Sequence, residues 1–273
     1  MKPAGQTTNE AQIHPSAHVD ASVRLGAGTI VGPGAVLEGD VRVGERCRIG
    51  SNANLRGPLA IGDDCEFGPL VCIGHDPQVK GNAGPFGRTE IGARNVFREY
   101  TQVHRSMTPD GATIIGDDGY FMVFAHVGHD SRVGDHVVMC NSANLGGHAQ
   151  VMDRAFISAY ASVHQYNRIG ELTMVGGYSV IVRDVPPYCT AVGGRPTILK
   201  GLNTVGLRRA DFDREARLAL KTAYRILFRS DAPLQERLDV VDATSPEVAN
   251  LVTFLRTAKR GVVGFGGSSG KEH

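Results

Sequence analysis

The chain has 273 residues and a formal net charge of +1, so it can form a large core and carries no overall charge signature of nucleic-acid binding. It contains 35 glycines and no tryptophan, and 6% of its residues are aromatic, which favours short repeated segments over a conventional packed globule. Its five cysteines lack CxxC spacing, and no stretch approaches the roughly 18 apolar residues of a membrane span. We therefore expect a reduced, cytoplasmic protein without a signal peptide, membrane span or zinc site.

An apolar residue recurs at every sixth position from Ile13 to Ile181, with two interruptions. A period of six fits neither an isolated helix nor a free-standing amphipathic strand, whose periods are about 3.6 and 2. It is the period of hexapeptide β-helix repeats, in which each hexad forms one flat side and a turn. Glycine often follows the apolar residue, as at Gly44 and Gly128, and we expect these glycines to supply the unusual backbone angles of the turns. The repeat predicts a β-helix over residues 13–195, after an N-terminal extension of residues 1–12.

Two stretches interrupt the period of six. Residues 79–90 and 106–114 are rich in Gly, Pro and polar side chains, which predicts loops that leave the β-helix. Long loops on a rigid repeat often bind a ligand. The alternative is a tolerated insertion without a function, and the sequence alone does not decide between the two interpretations.

The repeat is expected to end near Pro186 and Pro187, because consecutive prolines cannot continue a β-ladder. Beyond the turn at residues 193–196, apolar residues recur at helical spacing. This predicts a C-terminal α-helical domain over residues 196–260. Residues 261–273 are rich in Gly and Ser and predict a disordered tail.

Three helices are expected in the C-terminal domain. The first has an N-cap at Asp211 or Asp213 and an apolar face at helical spacing. The second lies between residues 232 and 243. Ser245 followed by Pro246 is typical of an N-cap and a first helical position, so a third helix begins there.

The first of these helices carries a row of basic side chains. Arg217, Lys221 and Arg225 are spaced four apart, and residues 208–229 contain seven basic and three acidic side chains. Such a stripe is either a solvated surface or a docking site for an acidic partner or a phosphate. Both interpretations stay open.

The period of six resembles that of hexapeptide-repeat acyltransferases, which implies a left-handed parallel β-helix with 18 residues in each triangular coil. Residues 18 apart then stack at roughly 4.8 Å, so that His129 lies below Gly147. The same register brings seven residues to one sector of the wall: His126, His129, Asp130, Gly147, His148, His164 and Gln165. A histidine cluster also suggests a metal site, but no set of four ligands completes one here, so we expect no metal.

Several motifs make the resemblance more specific. They are Ala125-His126-Val127-Gly128-His129-Asp130, Leu145-Gly146-Gly147-His148, Val163-His164-Gln165 and Asp184-Val185-Pro186-Pro187-Tyr188, followed by residues 206–215 and 223–230. Over residues 13 to about 260 the chain is similar to the acyl-carrier-protein-dependent UDP-N-acetylglucosamine O-acyltransferases of lipid A biosynthesis. The resemblance implies transfer of a 3-hydroxyacyl chain from acyl carrier protein to the 3-position of UDP-N-acetylglucosamine, the first step of that pathway. It also implies no cofactor, and a homotrimer with active sites between subunits.

The resemblance assigns roles to individual residues. His129 matches the family's general base, Asp130 orients or supports it, and the N–H of Gly147 matches the donor to the thioester oxyanion. Six further positions match the substrate groove or the nucleotide-sugar loop: Gln78, His126, His148, His164, Gln165 and Arg209. Gly177 matches the position whose bulk limits acyl-chain length, which predicts a donor of roughly 12–14 carbons, each buried methylene contributing about 0.8 kcal/mol.

Two positions depart from the family's pattern. Val79 follows Gln78 where the family often has an acid, unless Asp76 takes that role, and Gly194 stands where many relatives have Asn. These departures leave open a related acyltransferase that acts on another nucleotide sugar, such as a 3-amino UDP-sugar. A non-catalytic β-helix scaffold is a third alternative, and the intact histidine sector argues against it.

Overall fold

A computed structural model describes residues 10–264 and shows a left-handed parallel β-helix of about ten turns, followed by a small helical domain. Most of the expected N-terminal extension and residues 265–273 of the expected tail lie outside the described residues. Four helices occur within residues 10–264: α1 (Thr204–Arg209), α2 (Arg214–Arg229), α3 (Leu234–Val240) and α4 (Pro246–Arg256). None of these helices has the length and apolar character needed to cross a bilayer.

The described residues also form 28 strands, most of them two residues long. In chain order they are β1 (Gln12–Ile13), β2 (His18–Val19), β3 (Arg24–Leu25), β4 (Ile30–Val31), β5 (Val36–Glu38), β6 (Val41–Val43), β7 (Arg48–Ile49), β8 (Asn54–Arg56), β9 (Leu59–Ile61), β10 (Glu66–Phe67), β11 (Cys72–His75), β12 (Arg88–Ile91), β13 (Val96–Phe97), β14 (Gln102–His104), β15 (Ala112–Ile115), β16 (Tyr120–Phe121), β17 (His126–Val127), β18 (Arg132–Val133), β19 (Val138–Met139), β20 (Asn144–Leu145), β21 (Gln150–Val151), β22 (Phe156–Ile157), β23 (Ser162–Val163), β24 (Arg168–Ile169), β25 (Met174–Val175), β26 (Val180–Ile181), β27 (Cys189–Val192) and β28 (Ile198–Leu202).

The strands stack in three sheets, one on each side of a triangular prism. The first sheet begins with β1-β4-β7 and ends with β25-β27-β28, the second runs from β2 to β26, and the third runs from β3 to β24. His126 pairs with Asn144, and Asn144 pairs with Ser162, which confirms the predicted coil of 18 residues. Across the first interruption Phe67 pairs with Phe97, so the loops add whole hexads and the inward-facing pattern is kept.

The interior of the prism is filled by one large apolar side chain from each hexad. Phe67, Phe97 and Phe121 are fully buried and stack on one another, with ring centroids 5.1 and 4.6 Å apart. Full burial of each such side chain contributes roughly 1.5–3 kcal/mol. Small residues such as Ala125 and Ala143 fill the buried corners between the large ones. This is why the period of six is so clear in the sequence.

The glycines of the turns do not act as expected. The left-handed backbone conformation falls on the third residue after the apolar one, as at Asp130 and His148, with φ of 60° and 59°. Gly128, which follows the apolar residue directly, does not have a positive φ. A Cβ added to Gly128 would lie 2.8 Å from the backbone N of Gly147 in the next coil. Glycine is therefore needed here for the close approach of neighbouring coils, and not for unusual backbone angles.

Both loops end earlier than predicted, because the last residues of each predicted loop belong to a strand of the third sheet. β12 begins at Arg88 and β15 at Ala112. Each of these strands contains a fully buried threonine, Thr89 in β12 and Thr113 in β15. A pattern that counts only apolar residues misses such positions, so the end of each loop was predicted three residues too late.

The first sheet continues beyond the two prolines. β27 pairs in parallel with β25 and antiparallel with β28, which adds two strands after Pro186 and Pro187. The prolines lie in the turn before β27, where they need not donate to the ladder. Residues 198–202, predicted to open the helical domain, are therefore part of the first sheet.

The helical domain largely follows its N-cap signals. The side chain of Asp213 accepts a hydrogen bond of 2.8 Å from Ala216 N at the start of α2, and Ser245 caps α4 in the same way. The second helix, α3, is shorter than the predicted range, and α1 was not predicted. Buried leucines of α2 and α4, including Leu220, Leu227 and Leu251, form a second apolar cluster.

Residues 261–264 are packed rather than disordered, so the expected tail was placed too early. Asp184 N donates to Gly261 O at 3.0 Å, and Val263 N donates back to Asp184 O at 2.9 Å. Val263 is only 4% exposed. The burial of this valine explains why a segment of Gly-rich composition is ordered against the end of the β-helix.

Candidate active site

The corner between the second and third sheets carries an imidazole paired with a carboxylate. β17 ends at Val127, and the turn that follows places His129 and Asp130 on the outside of the prism. Nδ1 of His129 lies 2.7 Å from Oδ2 of Asp130, and the two side chains are 16% and 10% exposed. With the Nδ1 proton donated to the carboxylate, Nε2 is left as an acceptor, which is the protonation state of a general base.

The carboxylate of Asp130 is held by the second loop. The hydroxyl of Ser106 donates to Oδ1, and Met107 N donates to Oδ2 at 3.0 Å. The backbone N of Asp130 donates in turn to the hydroxyl of Thr113 at 2.7 Å. Burial alone would raise the pKa of Asp130, but the hydrogen bonds from Ser106, His129 and Met107 outweigh it and hold that pKa below its ordinary value. The pair is therefore fixed in geometry and Asp130 is ionised at neutral pH.

Gly147 lies one coil above His129 and leaves its Nε2 uncovered. A Cβ added to Gly147 would lie 2.5 Å from Nε2 of His129, so no other residue fits here unless the imidazole moves. Within residues 10–264 the N–H of Gly147 donates no hydrogen bond to another protein group. Gly128 in the coil below has no Cβ, which would otherwise lie 2.8 Å from the nitrogen of that N–H. An accepting nitrogen and a backbone donor are thus neighbours on an open stretch of wall.

Two further histidines border this pair. The ring of His148 stacks on Tyr166 at 4.4 Å and meets His129 edge-on at 5.2 Å, and burial lowers the pKa of His148. Burial, together with the nearby His104, lowers the pKa of His126 to about 4. His126 is therefore neutral at physiological pH, which suits hydrogen bonding to a substrate better than proton transfer.

The sequence interpretation missed several residues that support the site. Ser106 and Thr113 hold Asp130, as described above. His104 is 8% exposed, contacts His126 with ring centroids 5.2 Å apart, and donates a hydrogen bond from Nδ1 to Asp76 O at 2.6 Å. The sequence could have indicated this position of His104. The strand that contains it, β14, pairs with β17 at a spacing of 24 residues, which is one coil plus one extra hexad. No sequence pattern predicts the hydrogen bonds of Ser106.

The other candidate residues near this corner are exposed. His164 and Gln165 lie one coil above Gly146 and Gly147, and Nδ1 of His164 is 3.2 Å from Gln165 O. Gln78 is exposed on the loop that follows β11. These residues are placed where a ligand can contact them.

Asp76, the residue that was considered as a replacement for the missing acid at position 79, is already engaged. Its carboxylate accepts a hydrogen bond from the guanidinium of Arg105 and lies 3.6 Å from that of Arg56. Its charge is therefore partly neutralised within the protein.

Two candidate residues do not join the histidine sector within one chain. Gly177 lies at the corner between the first and second sheets, where an added Cβ would meet only Ala159 O at 3.3 Å. Arg209 lies in the last turn of α1 and lines a cavity of about 770 Å³ with Phe156 and Met174 of the first sheet. Both belong to the side of the prism that carries the first sheet.

One group of potential metal ligands occurs within residues 10–264. Ligand atoms of His129, Asp130 and His148 all lie within 4.8 Å of one another. Nδ1 of His129 is already bonded to Asp130, and that carboxylate already accepts three hydrogen bonds. A metal ion here would have to compete with the hydrogen bonds of the His129–Asp130 pair, so these residues fit a metal poorly.

The basic stripe of α2 lines a groove of its own. A cavity of about 880 Å³ has an apolar floor that includes Leu207 and Tyr224, and a cationic rim: Arg208, Arg214, Arg217, Lys221, Arg225 and Arg229. The basic residues of the predicted stripe therefore form part of a concave cationic surface.

Comparison with known proteins places the chain in a family. Residues 184–263 match the family model described as UDP N-acetylglucosamine O-acyltransferase, domain 2. The acyl-[acyl-carrier-protein]–UDP-N-acetylglucosamine O-acyltransferase of Alkalilimnicola ehrlichii is 48% identical over 257 residues, which cover 92% of this chain and 99% of that protein. The chain belongs to this family of acyltransferases.

Other members support the same conclusion. The protein of the same name from Thiobacillus denitrificans is 45% identical over 257 residues, covering 93% of this chain and 99% of the relative. The solved structure of UDP-N-acetylglucosamine acyltransferase from Campylobacter jejuni is 28% identical, has a TM-score of 0.88, and covers 93% of this chain and 100% of that chain. The predicted family, β-helix fold and acyltransferase class are thereby confirmed.

Proposed function

We propose that this chain transfers a 3-hydroxyacyl group from acyl carrier protein to the 3-hydroxyl of UDP-N-acetylglucosamine, with His129 as general base. The observation that carries the proposal is the position of His129 Nε2 below the side-chain-free Gly147 and beside its unused N–H. The names of the relatives, which specify these two substrates, support it further.

The chemistry follows from this geometry. Nε2 of His129 takes the proton of the sugar hydroxyl as its oxygen attacks the thioester carbon, and Asp130 stabilises the imidazolium that forms. The carbonyl oxygen becomes an oxyanion, to which the N–H of Gly147 donates. The tetrahedral intermediate then breaks its C–S bond, and the departing thiolate takes the proton from Nε2. No cofactor is needed for these steps.

The remaining candidates position the two substrates. We assign His126, His148, His164 and Gln165 to contacts with the sugar and the acyl group, since they border the His129 corner. Gln78, on its exposed loop, is assigned to the nucleotide sugar.

The acceptor sugar has one alternative. Val79 stands where the family often has an acid, and Asp76 is engaged by Arg105 and Arg56. An acceptor with a 3-amino group in place of the 3-hydroxyl is therefore the second candidate, and it uses the same base and oxyanion donor.

A homotrimer explains why two candidates lie far from the histidines. Arg209 and Gly177 are on the side of the first sheet, whereas His129 follows the second sheet. In an assembly that places the first sheet of one copy against the second sheet of another, both residues would meet a neighbour's His129. Gly177 would then limit an acyl chain of roughly 12–14 carbons, because each further methylene would lose about 0.8 kcal/mol of burial.

The carrier protein is expected to dock on the cationic groove of α2. Acyl carrier proteins are acidic, and the groove rim holds six basic side chains over an apolar floor. We expect the enzyme to act in the cytoplasm, where acyl carrier protein and nucleotide sugars are found.

One assay tests the whole proposal. Purified protein is offered hydroxyacyl carrier proteins with chains of roughly 10 to 16 carbons, together with either the 3-hydroxyl or the 3-amino sugar. Because each buried methylene contributes about 0.8 kcal/mol, the rates should differ between chain lengths. We expect mass spectrometry to show an ester of the hydroxyl sugar, formed fastest with 12–14 carbons. A preference for the amino sugar would establish the alternative acceptor, and no transfer from any donor would leave only the scaffold.

A further inference from the structure

A second cationic cavity adjoins the His129 corner on the outer face of the third sheet. It has a volume of about 770 Å³. Arg132, Gln150 and Arg168 occupy successive coils of β18, β21 and β24 and form its floor. Asp130 and the stacked pair of His148 and Tyr166 form the wall nearest the catalytic residues, and Lys259 and Arg260 form the opposite wall. The cavity therefore opens directly beside the His–Asp pair.

The wall opposite the catalytic pair is held in place by buried contacts. Arg168 bonds to the carboxylate of Asp184 at 2.7 Å, lies 4.2 Å above the ring of Phe254, and donates to Phe254 O at 3.0 Å. Asp184 also bonds through its backbone to Gly261 and Val263, as described above. The chain after α4 is thus tied to the third sheet on both sides of Lys259 and Arg260, which holds the backbone of these two residues beside the cavity.

The cavity carries a net positive charge that the protein leaves unpaired. Within residues 10–264, the side chains of Arg132, Lys259 and Arg260 make no ion pair or hydrogen bond. The two acids that line the cavity are both engaged, Asp184 by Arg168 and Asp130 by the groups described above. Three free cations around one concave site attract an anion with several acceptor oxygens.

We propose that this cavity binds the phosphate of the phosphopantetheine arm that carries the acyl thioester. The inference rests on the proposed function, because it presumes a carrier-bound thioester. Such an arm has a phosphodiester at one end and the thioester at the other. The cavity has Asp130 and His148 on the wall next to His129, Arg132 on its floor, and Lys259 and Arg260 on the opposite wall. Gln78, the residue assigned to the nucleotide sugar, is not among the residues that line this cavity, which leaves its cationic part to the donor.

The test compares two donors that differ only in the phosphate. Acyl-phosphopantetheine and acyl-pantetheine thioesters are assayed with wild type, Arg132→Gln and the double variant Lys259→Gln/Arg260→Gln. The matched control is Arg24→Gln, an outward arginine of the same sheet five coils away, roughly 24 Å from Arg132 at 4.8 Å per coil. All variants are first compared by thermal unfolding.

We expect KM for the phosphorylated donor to rise about tenfold in both site variants, with kcat unchanged. KM for the donor without phosphate and KM for the nucleotide sugar should stay at wild-type values, and Arg24→Gln should behave as wild type. A rise in KM for the nucleotide sugar instead would assign the cavity to the acceptor diphosphate and overturn the proposal. Equal behaviour of the site variants and the control would overturn it as well.

A binding measurement separates this inference from the proposed function. Calorimetry with phosphopantetheine and pantetheine, neither of which carries an acyl group, requires no turnover. If wild type transfers no acyl group but still binds phosphopantetheine more tightly than pantetheine, and Arg132→Gln removes the difference, the phosphate site stands and the reaction is wrong. If the two compounds bind wild type equally, the phosphate site is wrong whatever the enzyme catalyses.

Discussion

Two corners of the prism have nearly the same backbone and very different surfaces. Between the first and second sheets, Phe124 takes the left-handed conformation with φ of 60°, is 53% exposed and stacks on Tyr100 at 4.9 Å. Six residues later, between the second and third sheets, Asp130 has the same φ of 60°. Its side chain is only 10% exposed and bonds to His129. The repeat therefore supplies a direction for the side chain, and the residue that fills the position decides what it does.

The difference between the corners arises from the loop that reaches only one of them. Ser106 and Met107 cover the carboxylate of Asp130 and donate to it. The aromatic side chains of the other corner, including Tyr160 and Tyr178, stack on each other in solvent, with centroids 5.0 Å apart. A rigid repeat thus acquires a candidate catalytic corner where an inserted loop fixes the charge and orientation of one acid.

The largest expected effect is the loss of the proposed base, His129, at the corner between the second and third sheets, which the second loop covers. This corner is called the covered corner below. We expect His129→Ala to lower kcat by roughly 10²–10⁴, because no other side chain can take the sugar proton at Nε2's position. The control is His136→Ala at the third corner of the prism, where the imidazole is exposed and lies 3.9 Å from Asp118. Steady-state transfer rates and thermal unfolding are measured for both. Near-normal turnover by His129→Ala would remove the proposed mechanism.

The next effect tests the space above the imidazole. In Gly147→Ala the new methyl group would lie 2.5 Å from Nε2, so the imidazole must move away from its hydrogen bond with Asp130. We expect kcat to fall by about 10², as when a catalytic donor or base is misplaced. Gly201→Ala is the control, since an added Cβ there meets nothing within 4 Å. If both variants are equally active, His129 does not work in the position seen here.

The fold and the stacking could be predicted because the repeat is regular. One position in six determines what faces inward, so His129 and Gly147, in an uninterrupted stretch, were placed correctly from their spacing. The path of the second loop could not be predicted, because Ser106 reaches Asp130 through hydrogen bonds that follow no period. The buried Thr113 escaped notice for a similar reason, since an inward-facing polar residue interrupts an apolar pattern.

Sequence composition misled at the chain's C-terminal end. Gly261 and its neighbours have a composition typical of linkers, yet Val263 is buried against the last coil and Asp184 binds both sides of the segment. Composition reports the average tendency of a stretch, whereas one buried valine and two backbone hydrogen bonds decide its order. The roles of the site residues stay predictions that further variants can test.

A smaller effect is expected from removing the loop's hold on Asp130. In Ser106→Ala the carboxylate loses a donor, so the pKa of Asp130 rises from its depressed value towards the ordinary one. We expect a three- to tenfold loss of kcat, about 0.7–1.4 kcal/mol and within the net contribution of one ordinary hydrogen bond, and an acid limb of the pH–rate profile that moves to higher pH. The control is Ser142→Ala, at the left-handed position of the aromatic corner. An unchanged acid limb would show that Asp130 does not govern it.

The same substitution is expected to change how the free energy of unfolding depends on pH. Because the pKa of Asp130 is depressed in the folded protein, its ionisation contributes stability above the unfolded pKa of roughly 3.9, and this is lost as pH falls through the folded value. Ser106→Ala should therefore lose less stability between neutral and acidic pH than wild type does. Chemical unfolding at a series of pH values measures the difference, and parallel curves would contradict it.

The smallest effect distinguishes the two corners through their stacked rings. Tyr100→Ala removes a ring that stacks on Phe124, and Tyr166→Ala removes one that stacks on His148. Both tyrosines have left-handed backbones, with φ of 59° and 66°, so the cost of placing alanine there is shared. Each variant should lose about 0.5–1.5 kcal/mol of unfolding free energy, the typical worth of an aromatic pair.

Only the variant at the covered corner should change catalysis. We expect Tyr166→Ala to alter KM or kcat severalfold, because His148 loses the ring that fixes it beside His129, and Tyr100→Ala to leave both constants unchanged. Unfolding and steady-state rates are measured at several protein concentrations. A loss of activity in Tyr100→Ala that deepens on dilution would show that another subunit covers the aromatic corner, and that the two corners differ in their partners as well as in their side chains.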